Sequence, residues 1–303
     1  MSILVREFHR SDREQLTSLV NLHVSTVLPG VALSTNVVLS QIEREPEELI
    51  VDPWVVERRC LVAVEDEVIV GSALVHRFGD DSQVRDGYRS AADIRWIVFT
   101  PSAINAGRQL LSTVLEQARR WNSARVYAEC SLPAPGCLGV SDSWPHIRTL
   151  LTEAGFQGPD RTEIVLAART EDLLGHTMDQ TEIRRSVGLL GARHDLVSTD
   201  GQLGSTSLGY IEVGETNQAL ARSTTATPWT DVGNLFATGS EPLTTVMPVL
   251  LSAAAEWLLL GGVQRLVDYY AEDVHPPEYL AVLDQLGFTR LSTNERGWVF
   301  QPG

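Results

Sequence analysis

Residues 3–8 alternate between apolar and polar side chains, which predicts a short strand. Ser11 and Glu14 follow at the spacing of a capping box, ahead of Leu16, Leu19, Val20, Val24 and Val27 at helical intervals, so a helix with one apolar face is predicted there. Leu61–Val64 and Val68–His76 flank a Glu65-Asp66-Glu67 turn and read as a hairpin, and Asp93–Phe99 reads as a central strand. Leu110, Leu111, Val114, Leu115 and Ala118 then mark the apolar face of a helix, and Arg125–Glu129 returns as a strand. This strand-helix-strand order is that of a parallel crossover. Pro145 fits the first turn of a further helix ending at Gly155, and Ile164–Ala168 supplies a closing strand. The apolar run Val246–Val263 is broken by Pro248, Ser252 and Glu256, which suits a buried helix better than a membrane span.

The second half repeats the first. LLSTVLEQARRWNSARVYAE aligns with LLSAAAEWLLLGGVQRLVDY, pairing Ser112 with Ser252, Glu116 with Glu256 and Arg125 with Arg265. Asp93-Ile94 and Ile97 match Asp231-Val232 and Leu235, and IRTLLTEAGF matches YLAVLDQLGF. VAVEDEVIVGS and LVSTDGQLGS share a turn at Asp66 and Asp200. Several segments matching in one order point to a duplicated domain, with domains expected at 1–172 and 173–303. The second copy reaches its hairpin much sooner, so its opening helices are expected to be missing or reduced. A Pro-Pro-led helix over 276–286 and a strand at Gly297–Phe300 close it.

Composition removes several chemistries. The 24 basic residues are all Arg, so a Schiff-base lysine and a P-loop lysine are both ruled out. A formal charge of -15 disfavours nucleic acid or an anionic membrane as partner. Three cysteines, Cys60, Cys130 and Cys137, are too sparse for a disulfide scaffold and suggest a reducing, cytoplasmic location. The charged N-terminal stretch has no apolar signal core, so no export is expected. The histidines are scattered without metal-ligand spacing, so no metal is expected.

The order strand, helix, hairpin, Asp-Ile-x-x-Ile-Val-Phe strand, loop, Leu-Leu helix, strand and a helix ending Glu-Ala-Gly-Phe resembles the GCN5-related N-acetyltransferase (GNAT) family, as two copies in tandem. The resemblance implies an α/β (α+β) chain of two GNAT-like domains, each a mixed, splayed central sheet flanked by helices. It implies an acyl-CoA-dependent N-acyltransferase, with acetyl-CoA as donor and the amine of a small molecule as acceptor. A catalytically inactive acyl-CoA-binding or protein-interaction member is the alternative. Family members hold the cofactor where the fourth strand parts from the fifth. This places backbone of Ile97, Val98 and Phe99 along the pantetheine, and Asn105, Ala106, Gly107 and Arg108 at the diphosphate. Helix-start amides suit an anion there. The corresponding stretch of the second copy from Leu243 lacks glycine and follows Glu241, so the first copy is the expected site. The resemblance makes Asp93 the candidate base and Glu129 its rival. The family's acidic Tyr is replaced by Leu151 and Leu283, leaving Tyr127, Ser141 or His146 as candidate acids.

Overall fold

The computed structural model describes residues 3–43, 54–199, 206–214 and 228–301. The predicted turn at Asp200 lies outside them. In chain order the elements are β1 (Leu4–Glu7), α1 (Arg13–Val27), α2 (Thr35–Ile42), β2 (Val55–Glu65), β3 (Val68–Phe78), β4 (Ala92–Phe99) and α3 (Ile104–Arg120). There follow β5 (Val126–Ala128), β6 (Val140–Ser141), α4 (Pro145–Glu153), β7 (Arg161–Arg169), β8 (Thr181–Val187), β9 (Ala192–Ser198) and β10 (Thr206–Val213). The chain continues through β11 (Trp229–Ala237), α5 (Leu243–Leu260), β12 (Arg265–Tyr270), α6 (Pro277–Gln285), β13 (Thr289–Arg296) and β14 (Trp298–Phe300).

Two compact units result. The first comprises the described residues within 1–29, 33–162 and 293–303, the second those within 30–32 and 163–292. The cut expected at 172/173 follows chain order, whereas the units exchange their closing strands. β7, at the end of the first repeat, pairs antiparallel with β12 of the second unit, and β14, at the end of the second repeat, pairs antiparallel with β5 of the first. Local alternation identifies a strand but not the edge it extends, because edge pairing is a long-range choice.

The first sheet runs β1–β2–β3–β4–β5–β14. In the second unit the order β8–β9–β10–β11–β12–β7 repeats this plan, with β13 beyond β7. Each plan has one parallel pair, β4 with β5 and β11 with β12. The β2–β3 hairpin turns at Asp66 and Glu67, both at positive φ (48° and 66°), as a two-residue hairpin turn requires. In the second repeat the opening element is β8, which pairs directly with β9, where the first copy inserts α1 and α2 between β1 and β2.

The helix faces read from the sequence are buried at Leu16, Leu19, Val20, Val24 and Val27 on α1 and at Leu110, Leu111, Val114 and Ala118 on α3, while Leu115 of the same predicted face is only half-buried. The Ser11–Glu14 capping box does not form. The chain enters α1 through a 3-10 turn, Arg10–Asp12, where the Asp12 carboxylate accepts the His9 N–H (2.8 Å) and pairs with Arg6 (2.6 Å). Asp12, two positions before Glu14, can satisfy both groups from inside the turn. Helix α5 is long and apolar enough to cross a membrane, yet Val246, Met247, Leu250, Leu251, Ala254 and Leu258 are buried in the core of the second unit.

Candidate active site

One row of side chains crosses the first sheet. Arg58 on β2 pairs with His76 on β3, His76 with Asp93 on β4, and Asp93 with Tyr127 on β5. Directly opposed residues project to one face. β4 and β5 are in parallel register at Ala92–Val126 and Asp93–Tyr127, main-chain bonds from Cys130 and Ser131 continue the contact as far as Arg95, and among the described residues the strands part beyond it. A bulge in β4 lies next to the parting, where Ile94 pairs with Val75 and Trp96 with Leu74, leaving Arg95 as the extra residue. A bulge bends its strand and re-aims a side chain.

At the parting lies a cavity of about 600 Å³, lined by Arg58, His76, Asp93, Arg95, Glu129 and Arg296 together with an aromatic wall of Trp54, Phe78 and Tyr88. Asp93 is buried, and its Oδ1 accepts the Glu129 N–H at 3.2 Å. The Glu129 carboxylate accepts from Arg296 at 3.3 Å. Burial, with Arg58 and Arg95 nearby, pushes the His76 imidazole down to about 3, so it is neutral at ordinary pH, and its buried Nε2 has no hydrogen-bond partner among the described residues. The Tyr88 ring packs tilted against Tyr127 at 4.8 Å between centroids, and the Tyr127 hydroxyl donates to the Gly87 carbonyl at 2.7 Å. Tyr127 lines a neighbouring cavity of about 380 Å³ that shares Tyr88, Glu129 and Arg296 with the first.

The second unit parts its strands in the same way. β11 and β12 are in parallel register over Trp229–Arg265, Thr230–Leu266 and Asp231–Val267 only, and Gly233 is the extra residue of a bulge against β10. Here Gly233, Asn234 and Phe236 at the freed end of β11 are exposed. Asp231 Oδ2 accepts the Tyr269 hydroxyl at 3.0 Å.

Comparison with known proteins rests on structure alone. No family model matches the sequence, and no curated protein matches it. A tandem GNAT protein from the clavulanic acid biosynthesis pathway superposes over 100% of this chain and 99% of its own, with TM-score 0.68 at 14% identity. The chain has the tandem GNAT fold. A GCN5-related N-acetyltransferase from Sphaerobacter thermophilus matches 99% of this chain and 96% of its own at TM-score 0.62 and 13% identity. A GCN5-related glucosamine N-acetyltransferase region of a fungal multi-domain β-N-acetylglucosaminidase matches 99% of this chain but 38% of that longer protein, at TM-score 0.66 and 12% identity.

Against GNAT expectations, the residues assigned to the donor are placed differently from those assigned to catalysis. Asp93 and Glu129 come together in the larger cavity, whereas Ile97, Val98 and Phe99 are at most 1% exposed. Past the last register pair the chain still bridges the gap, with Cys130 N–H donating to the Ile94 carbonyl (3.2 Å) and Ser131 N–H to that of Arg95 (2.6 Å). Farther along, the Phe99 ring meets His146 edge-on at 4.8 Å, His146 Nε2 lies 3.3 Å from His23 Nε2, and Trp144 Nε1 donates to the His23 carbonyl and to Thr26 Oγ1. The pantetheine edge expected there is therefore closed by side chains.

The helix start is also partly committed. The amides of Ala106 and Gly107 both donate to the Ala103 carbonyl, and Arg108 pairs with Glu153 (2.9 Å) and reaches Asn105 Oδ1 (3.3 Å). A Cβ on Gly107 would sit 2.7 Å from the Phe99 ring, so this glycine lets α3 lie on β4. Asn105 and Arg108 are exposed. Of the other candidate acids, Ser141 is buried in β6, and burial and His23 pull His146 down to about 4. Leu151 and Leu283 are fully buried, so the usual Tyr position has become core.

The sequence reading missed Arg58, His76 and Arg95. Each is a polar residue in a mainly apolar strand, and that break in pattern was the available signal.

Proposed function

We propose that the protein is an acyl-CoA-dependent N-acyltransferase, using acetyl-CoA and acting on the amine of a small molecule in the first unit. The observation that carries this reading is the pair Asp93 and Glu129 at the parting of β4 from β5, both lining one cavity large enough for a small acceptor. Acyl-CoA supplies a thioester carbonyl open to attack. The chain supplies the proton acceptor: a carboxylate of Asp93 or Glu129 takes the ammonium proton, directly or through water, and frees the nitrogen lone pair. The Tyr127 hydroxyl proton is engaged by Gly87, which supports a role for Tyr127 in holding the cavity wall with Tyr88. Three unbonded, buried cysteines support a cytoplasmic location.

The closed edge at Ile97–Phe99 does not fit pantetheine as it stands. Admission of a donor requires the rings of His146 and His23 to leave that edge. The same observation favours a second reading, a catalytically silent member that binds acyl-CoA along β11 of the second unit, where Gly233, Asn234 and Phe236 are exposed.

The test is amine-dependent thiol release from acetyl-CoA, measured over a panel of small amines. Release that depends on the amine supports the transferase. Binding of acetyl-CoA without release with any amine would favour the silent member.

A further inference from the structure

We propose that the acceptor amine also carries a carboxylate, held by Arg95 while Asp93 and Glu129 face its ammonium, so that the substrate is an amino acid or an amine of that type. The inference rests on the reading of the first-unit cavity as the acceptor site.

Charge in the cavity runs against the rest of the chain. In a protein of formal charge -15, this pocket gathers Arg58, Arg95 and Arg296 against two carboxylates. Arg296 is paired with Glu129, and the His76 imidazole is neutral. Among the described residues the half-buried Arg95 guanidinium makes no hydrogen bond or ion pair. A guanidinium taken partly out of water without a partner is costly, and an incoming anion removes that cost.

The donor geometry suits a carboxylate. Guanidinium presents a planar fork that matches two carboxylate oxygens, unlike a point-like ammonium. His76 adds a second, independent sign: it is 8% exposed, stands in the row between Arg58 and Asp93, and its Nε2 is buried without a partner. Buried polar atoms are normally satisfied, so this one points to a ligand atom.

The opposite end suits an ammonium, because Asp93 lies two positions from Arg95 on the same strand and Glu129 is tied to it through the main chain. A short zwitterion can therefore meet both ends at once. Trp54, Phe78 and Tyr88 form a wall of edge-on and tilted rings on which an apolar side chain can lie.

The experiment is calorimetric titration of the full chain with glycine, L-leucine and L-phenylalanine, each beside its methyl ester and its decarboxylated amine. At least one acid is expected to bind tenfold or more tightly than its ester, about 1.4 kcal/mol. That gap should close in Arg95→Leu. Binding in which no acid exceeds its own ester and amine, or no binding by any of the nine, would overturn the inference. If Arg95→Leu does not fold, the acid-against-ester comparison on the native protein decides alone. Acid-selective binding without thiol release from acetyl-CoA would uphold this inference and remove the transferase reading. Thiol release supported equally by esters and acids would do the reverse.

Discussion

Asp93 Oδ1 accepts the main-chain N–H of Glu129 at 3.2 Å, so a side chain on β4 fixes the first residue after β5 ends. Each carboxylate is thereby placed relative to the other. Asp93→Asn keeps an acceptor for that amide, and Asp93→Ala removes it. If Asp93 is the base, both substitutions should lower amine-dependent turnover by about 100-fold or more. Only Asp93→Ala should also lose about 1–3 kcal/mol of stability, through an unsatisfied amide. Steady-state rates beside denaturant unfolding separate the two effects.

The rings over the Phe99 edge impose a population cost on any donor entering the first unit, since only the open fraction can bind. His146→Ala removes one ring from that edge and should tighten acetyl-CoA binding several-fold, measured by calorimetry. Unchanged affinity would mean that the donor does not use this edge.

His146 also predicts a pH effect. Its folded pKa, about 4, lies below the ordinary value of 6.5, so the unfolded chain binds a proton first as pH falls. Its contribution is complete above about pH 6.5 and is lost progressively down to about pH 4. The stability difference between the native protein and His146→Phe, followed by urea unfolding across that window, should therefore shrink on acidification.

In the second unit the sign is opposite. Asp268 is buried, and burial pushes its carboxyl up to about 7, against the pull of the Tyr269 N–H (2.7 Å) and the Tyr279 hydroxyl (2.8 Å). A raised acid pKa favours the folded state at low pH and costs stability as pH rises from about 4 to about 7. Asp268→Asn should remove that slope, so the variant should gain on the native protein as pH rises. Parallel curves from pH 4 to 8 would contradict the assignment.

Gly107 gives a purely steric prediction. A Cβ there would lie 2.7–2.9 Å from three Phe99 ring carbons, and Phe99 is fully buried. Gly107→Ala should therefore cost about 1–3 kcal/mol by overpacking. Chemical denaturation measures it directly, and a neutral result would show that Phe99 can yield.

Much of this architecture was readable because periodicity is local. The α1 and α3 faces, the β2–β3 turn at Asp66 and the alignment of Asp93 with Asp231 all follow from short-range pattern, and the bulges at Arg95 and Gly233 fall at corresponding places in the two copies. What was not readable depends on partners distant in sequence. Nothing in Ile164–Ala168 says that it closes the second sheet, and nothing in Phe99 says that its ring will fill the space beside Gly107 and meet His146. The carboxylates of the cavity were legible from the family resemblance, but its arginines were not, because Arg58 and Arg95 acquire meaning only when three strands bring them to one pocket.

A crystal structure of the full chain with a non-hydrolysable acetyl-CoA analogue decides which unit holds the donor. The acyl group is expected at the Asp93–Glu129 end of the first-unit cavity, with the His146 ring turned away from Phe99. An analogue bound solely along β11 and the start of α5, with the first unit still closed, would contradict that placement.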